Sequence, residues 1–252
     1  MNIQQAKFQY LLRLSDSSLI IGHRLSEWCG HGPILEEDIA LTNIALDFVG
    51  NATALYTYAA EVEGKGRTED DLAYLRNERE FQNLLLTEQP NGDYATTIAR
   101  QFLYDVYTFF LYNELKNSTD ETIAAIATKA HKEITYHLRH TTEWMYRLGD
   151  GTEESHQRMQ TALNELWMYT PDLFDFDQVD TLLMNEGIGA DLNKVKIDWE
   201  KHVKEVISEA TLQIPTTTIK QKGSREGKHS EHLGFLLAEM QSMQRAFPGS
   251  KW

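Results

Sequence analysis

Between Leu35 and Glu63 the chain reads LEEDIALTNIALDFVGNATALYTYAAEVE, with no proline. Its apolar residues (Ile39, Ile44, Leu46, Val49, Ala52, Leu55, Tyr56, Ala59, Val62) recur mostly at three- and four-residue steps. That spacing lays them along a helix. Tyr94–Lys116 and Asp120–Leu148 are two more long segments free of proline and of internal glycine. Strand-type alternation is absent. These features predict an all-α chain whose helices are long enough for a bundle.

The remaining punctuation divides the chain into further helices. Gln5–Cys29 reads as one or two helices stopped by Gly30-His31-Gly32-Pro33, and Gly64 and Gly66 end the long helix. Asp70–Leu86 reads as a shorter, charged helix. Gln89-Pro90-Asn91-Gly92-Asp93 is a turn whose last residue can cap the helix that follows. Thr152–Tyr169 is expected to be helical and Thr170–Asp180 to be a connection. A short helix is expected over Asp180–Glu186 and a longer one over Asp191–Leu212. Residues 214–228 (IPTTTIKQKGSREGK) are polar and locally basic, and are expected to form a mobile loop. His229–Phe247 is a last amphipathic helix, and Pro248–Trp252 a tail. No repeat at a solenoid period interrupts this order, so residues 1–252 are read as a single domain with helices beyond the four of a bundle.

Composition narrows the function classes. The formal net charge is -14, with a pI near 5.1. A surface of that sign disfavours nucleic acid and anionic membranes. The one cysteine, Cys29, excludes an intrachain disulfide framework and fits a reducing cytoplasm. It follows Trp28 in an apolar segment and is expected to be buried and inert. No run approaches a membrane span, and the N-terminus lacks a secretory core.

Four acids stand at suggestive heights. In an antiparallel hairpin, residues equally far from the turn lie at about the same level. Reflection through Gly30–Pro33 pairs Asp47 with Asp16. Reflection through Asn117–Thr119 pairs Asp105 with Glu133. Di-iron bundles use such a quartet, with imidazoles three residues after two of the acids. Here those two places hold Gly50 and Tyr136. Without imidazole, hard carboxylates suit at most a weak Mg²⁺ or Ca²⁺. Buried together, they would resist ionisation unless paired. His23, His137 and His140 are the candidate partners. The plainer reading is a set of satisfied polar residues in a bundle that is not a catalyst, so no metal site is assigned.

Other patterns are weaker. His137 and His140 have a metal-compatible spacing but no named third ligand. His229-Ser230-Glu231-His232 resembles a ligand cluster, but it lies at a helix start, where Ser230 or Glu231 can serve as a cap. Lys220, Lys222, Arg225 and Lys228 form a basic patch that could meet a coenzyme A ester or an acidic partner, or stay a solvated loop. No metalloprotease, nucleophile-elbow, Walker or dinucleotide motif occurs.

Longer stretches carry a resemblance. Gly22-His23-Arg24-Leu25-Ser26-Glu27-Trp28-Cys29-Gly30-His31-Gly32-Pro33, then Glu36-Glu37-Asp38 and Ala45-Leu46-Asp47, are similar to the C-subunit family of phenylacetyl-CoA epoxidases (phenylacetate-CoA oxygenases). So are Glu88-Gln89-Pro90-Asn91-Gly92-Asp93, Tyr136-His137-Leu138-Arg139-His140 and Arg147-Leu148-Gly149-Asp150-Gly151-Thr152-Glu153-Glu154-Ser155. His232-Leu233-Gly234 and Leu237-Ala238-Glu239-Met240-Gln241 complete the likeness, which spans nearly the whole chain.

The resemblance implies a ferritin-like helical bundle in a cytoplasmic bacterial monooxygenase complex that epoxidises the ring of phenylacetyl-CoA during phenylacetate catabolism. It implies a di-iron centre in a paralogous catalytic A subunit, with phenylacetyl-CoA bound mainly by that partner. It further implies a small B subunit, together with an NADPH-dependent reductase that carries flavin and iron–sulfur groups. The C subunit itself is implied to be structural and without cofactor, a degenerate version of the catalytic fold. Two alternatives remain: a metal-binding oxygenase in its own right, and a coenzyme A ester-binding module.

Overall fold

The structure, a computed structural model, describes residues 1–250. Among these residues there are eleven α-helices and no strand. The all-α class is as expected, and two long antiparallel hairpins supply the elements of a ferritin-like bundle. The last two residues of the expected tail lie outside the described residues. Contacts divide the chain into two compact units, residues 1–89 with 223–252 and residues 90–222.

In the first unit, α1 (Ile3–Ser26) and α2 (Leu35–Glu63) form a hairpin. The Gln4 amide donates to the Val62 carbonyl (2.7 Å), and the Asn51 amide donates to Ser18 Oγ (3.1 Å). The start of one helix therefore lies beside the end of the other. Asn2 and Gln5 form a capping box at the head of α1. Gly22 lets the helices close up, since a Cβ there would stand 3.0 Å from Val49 Cγ2 and 3.2 Å from the Ala45 carbonyl.

The expected helix over Asp70–Leu86 is largely absent. Only α3 (Glu69–Tyr74) and a short 3-10 turn over Glu78–Glu80 form, and the chain then runs without helix along α1. The reason is tertiary. The Gln82 N–H donates to Asp16 Oδ2 (2.8 Å) and the Leu84 N–H to Ser17 Oγ (3.1 Å). Side chains of α1 thus replace the carbonyls of a helix as acceptors, while Phe81, Leu84, Leu85 and Leu86 become buried.

The second unit is built on α4 (Tyr94–Leu115) and α5 (Glu121–Gly149). Asp93 and Asp120 cap them by accepting backbone N–H groups of their first turns. Tyr94 meets Trp144 edge-on at 5.1 Å, and Phe109 lies 4.7 Å from His131, so these helices are also antiparallel. Then follow α6 (Glu153–Leu166), α7 (Thr170–Leu173), α8 (Gln178–Asn185) and α9 (Leu192–Glu209). α9 is fixed to α4 by Trp199, whose buried indole N–H donates to the Leu103 carbonyl (3.0 Å).

The final segment belongs to the first unit. The single helix expected over His229–Phe247 is two, α10 (Glu231–Met240) and α11 (Ser242–Ala246). They break at Gln241, whose amide donates to the Ala73 (3.2 Å) and Arg76 (3.0 Å) carbonyls. No described helix is long and apolar enough to cross a membrane.

Candidate functional site

The acids named from the sequence fall into different settings. Asp16 is fully buried in the first unit. Arg76 forms an ion pair with its Oδ1 and donates from Nη1 to its Oδ2 (3.1 Å). The Tyr56 hydroxyl donates to Oδ1 at 2.5 Å. With the Gln82 N–H, the carboxylate is surrounded by donors. Burial pushes the Tyr56 hydroxyl well above its ordinary value, and the Asp16 charge adds to that. Burial alone would lower the Arg76 pKa, but the charges of Asp16, Tyr56 and Glu80, with the Asp16 hydrogen bond, together more than offset it and raise the value. Arg76 also donates to the Leu72 (2.5 Å) and Glu80 (2.8 Å) carbonyls and lies over the Phe81 ring at 4.2 Å. A surface cleft of about 510 Å³ runs beside it, lined by Gln5, Gln9, Arg67 and Gln82 among others. Both arginines there are committed, Arg67 to Glu63 and Arg76 to Asp16.

Asp47 is not opposite Asp16. Ser18 pairs with Asn51, and Gly22 lies against Ala45, Phe48 and Val49. Asp47 is therefore level with Gly22, about six residues or ~9 Å along α1 from Asp16. The reflection failed because the connection is not a symmetric turn. Gly32 folds back on the first turn of α2, donating its N–H to Asp38 Oδ2 (2.9 Å), and so shifts the register. Asp47 is half-buried and Gly50 is exposed, with open space where a Cβ would be.

In the second unit, Asp105 is fully buried on α4. It accepts from the Gln101 amide (2.6 Å) and from the Thr141 hydroxyl (3.0 Å), not from a group at Glu133. Burial pushes its carboxyl up to about 7, against the opposing charge of His137 and those two hydrogen bonds. His137 is itself buried. Glu133 is half-buried and lies 3.5 Å from Lys129, while Tyr136 is exposed and stacks on His140. His23 is half-buried, and desolvation holds its pKa below the ordinary imidazole value.

The residues present do not fit a di-iron centre. Asp16 has its oxygens occupied by arginine, tyrosine and backbone donors. Asp47 and Glu133 are only half-buried, and Gly50 and Tyr136 offer no imidazole. Among the described residues, no group of three or more His, Cys, Asp and Glu side chains could hold a metal ion.

The basic patch is partly committed in each unit. Lys222 pairs with Asp175 (2.7 Å), and the Gln221 N–H beside it donates to the Met168 carbonyl (2.8 Å). Lys228 pairs with Glu226. Lys220 is exposed and Arg225 half-buried. Cys29 is exposed, contrary to expectation, because the chain leaves α1 at Ser26 before reaching it.

One buried pair was not anticipated. His229 and Glu88, both with fully buried side chains, are 2.9 Å apart through Nδ1 and Oε2. Nε2 of the same imidazole faces the Phe81 carbonyl at 2.9 Å. A ring with an acceptor at each nitrogen satisfies both only as the cation. Burial would lower this pKa, but the Glu88 hydrogen bond and charge, with the Phe81 carbonyl, hold it above the ordinary value. Glu88 also accepts from the Ser230 N–H (2.5 Å) and the Asn83 amide (2.9 Å). The separation of 141 residues leaves no local sequence signal for the pair.

Known proteins are similar to this chain over nearly its whole length. The phenylacetic acid catabolic protein family matches residues 2–252. The chain is 50% identical over 243 residues, 96% of its own length, to the C subunit of 1,2-phenylacetyl-CoA epoxidase from Escherichia coli (strain K12), and covers 98% of that protein.

Proposed function

The chain belongs to the phenylacetic acid catabolic protein family, and on that footing we propose that it is a non-catalytic structural subunit of a multicomponent monooxygenase that epoxidises the ring of phenylacetyl-CoA. The observation that carries this reading is the end-to-end identity of 50% to the C subunit of such an epoxidase. The donor sets support it. An Asp16 neutralised by Arg76 serves to anchor residues 72–82 on α1, and leaves little negative charge to attract iron. The chain is then a scaffold in the cytoplasm that holds and orients a catalytic di-iron A subunit. The small B subunit, with the flavin and iron–sulfur reductase, completes the assembly, and phenylacetyl-CoA is bound mainly by the catalytic partner.

Co-expression with that paralogue tests the proposal. The expected result is one complex that survives gel filtration, with monooxygenase activity present in the complex and absent from this chain alone. A catalytic paralogue that is fully active and stable while this chain elutes separately overturns it.

A further inference from the structure

The C-terminal segment from Gly223 to Ser250 returns to the first unit and lies over residues 72–89 as a strap. Its polar attachment is concentrated at two places, with Leu233, Leu236 and Leu237 of α10 buried between them. At the far end, Gln241 and Arg245 donate to the Arg76 carbonyl, at 3.0 and 2.8 Å. At the near end, His229 and Ser230 grip Glu88 and Phe81. Between Gly223 and His229 the approach is close: Gly227 has φ +66°, and a Cβ there would fall 2.2 Å from the Arg79 carbonyl. The strap therefore cannot drift without losing specific contacts, and its near end depends on one titratable side chain.

We propose that His229 is a protonation-dependent clip that holds the C-terminal strap on the first unit. The geometry requires it. A neutral imidazole presents a bare lone pair to one of its two acceptors, either the Glu88 carboxylate or the Phe81 carbonyl, in a site that excludes water. Loss of the proton also leaves Glu88 buried without its countercharge, which opposes the Ser230 N–H contact that starts α10.

The charged groups around the clip act in opposite directions. Glu88 is in contact, and Asp16 on α1 favours the cation through space. Arg24 on α1 donates to the Glu88 backbone carbonyl from Nε (3.1 Å) and Nη2 (2.8 Å), and brings a positive charge that opposes the imidazolium. Arg24 is itself paired with Glu27. On the strap, the exposed Lys228–Glu226 pair and the neighbouring Glu231 flank His229. Because the folded pKa is raised, the clip is fully present below the ordinary imidazole range and is lost as pH rises through the folded value.

Hydrogen exchange of the full-length chain tests this, with rates corrected for the intrinsic pH dependence of exchange. From about pH 6 to about pH 9, amides of α10 should lose about tenfold in protection relative to those of α1. In Glu88→Gln the protection should already be lower at the acid end, and the profile should be flat. Unchanged protection of α10 across the range, or the same fall in Glu88→Gln, overturns the proposal. If Glu88→Gln does not fold, the unsubstituted chain still decides. NMR should find the His229 ring protonated on both nitrogens after the exposed histidines have lost their protons, and a ring neutral at about pH 6 overturns the clip.

Discussion

Asp16 shows how one residue type can suggest two opposite chemistries. In sequence it is an acid in an apolar helix and a candidate ligand. In the fold it anchors a non-helical segment of chain, and Arg76, sixty residues away, is its ion-pair partner. Removing the arginine should leave a buried carboxylate without a counterion. Arg76→Ala is therefore expected to cost about 3–5 kcal/mol in urea unfolding. A loss below about 1 kcal/mol would mean that the pair is not the anchor described. Asp105 makes a different prediction, because its carboxyl is raised to about 7 from an ordinary 3.8. Between about pH 4 and about pH 7 the folded chain keeps a proton that the unfolded chain has released. Stability should therefore fall as pH rises through that window and level off above it. Asp105→Asn should remove most of that slope while keeping the Thr141 contact. Unfolding midpoints at several pH values would check it, and an equal slope in both proteins would assign the titration elsewhere. Little near either acid in sequence distinguishes them, since Arg76 and Gln82 reach Asp16 from a distant segment and only Gln101 among the partners of Asp105 is local.

Among the elements, what could be read from sequence was what is local. The spans of α2, α4 and α5 follow from periodicity, from Asp93 and Asp120 as caps, and from Gly64 in the left-handed conformation at the end of α2. Residues 75–86 have helical composition but were captured by acceptors on α1, so propensity lost to tertiary hydrogen bonding. The hairpin registers were wrong by more than a turn for Asp16 and Asp47, because Gly32 and Asp38 make the connection asymmetric. Two glycines give a matched test of helix contacts. A Cβ on Gly149 would meet the Ala210 carbonyl at 2.4 Å, whereas one on Gly50 meets nothing. Gly149→Ala should lose about 1–3 kcal/mol by forcing the ends of α5 and α9 apart. Gly50→Ala should gain up to about 1 kcal/mol from helix propensity. Thermal unfolding of the two variants should therefore shift in opposite directions, and shifts of the same sign would contradict this packing.

For the whole molecule, family membership and donor chemistry both support the proposed scaffold role. A chain 50% identical to the C subunit of an epoxidase has the long helical hairpins of a ferritin-like fold, and uses acids to secure segments and a strap. The all-α class and the missing imidazoles at Gly50 and Tyr136 were visible in the sequence. The buried Glu88–His229 pair, which holds the last segment in place, was not. In the proposed role this chain supports a catalytic paralogue and holds no iron itself. The most direct test is the iron content of the chain purified alone from iron-supplemented cells, set beside that of its complex with the paralogue. The expected result is no stoichiometric iron in the isolated chain, and iron in the complex in proportion to the paralogue. About two irons bound to the isolated chain, the number a di-iron bundle takes, would contradict it.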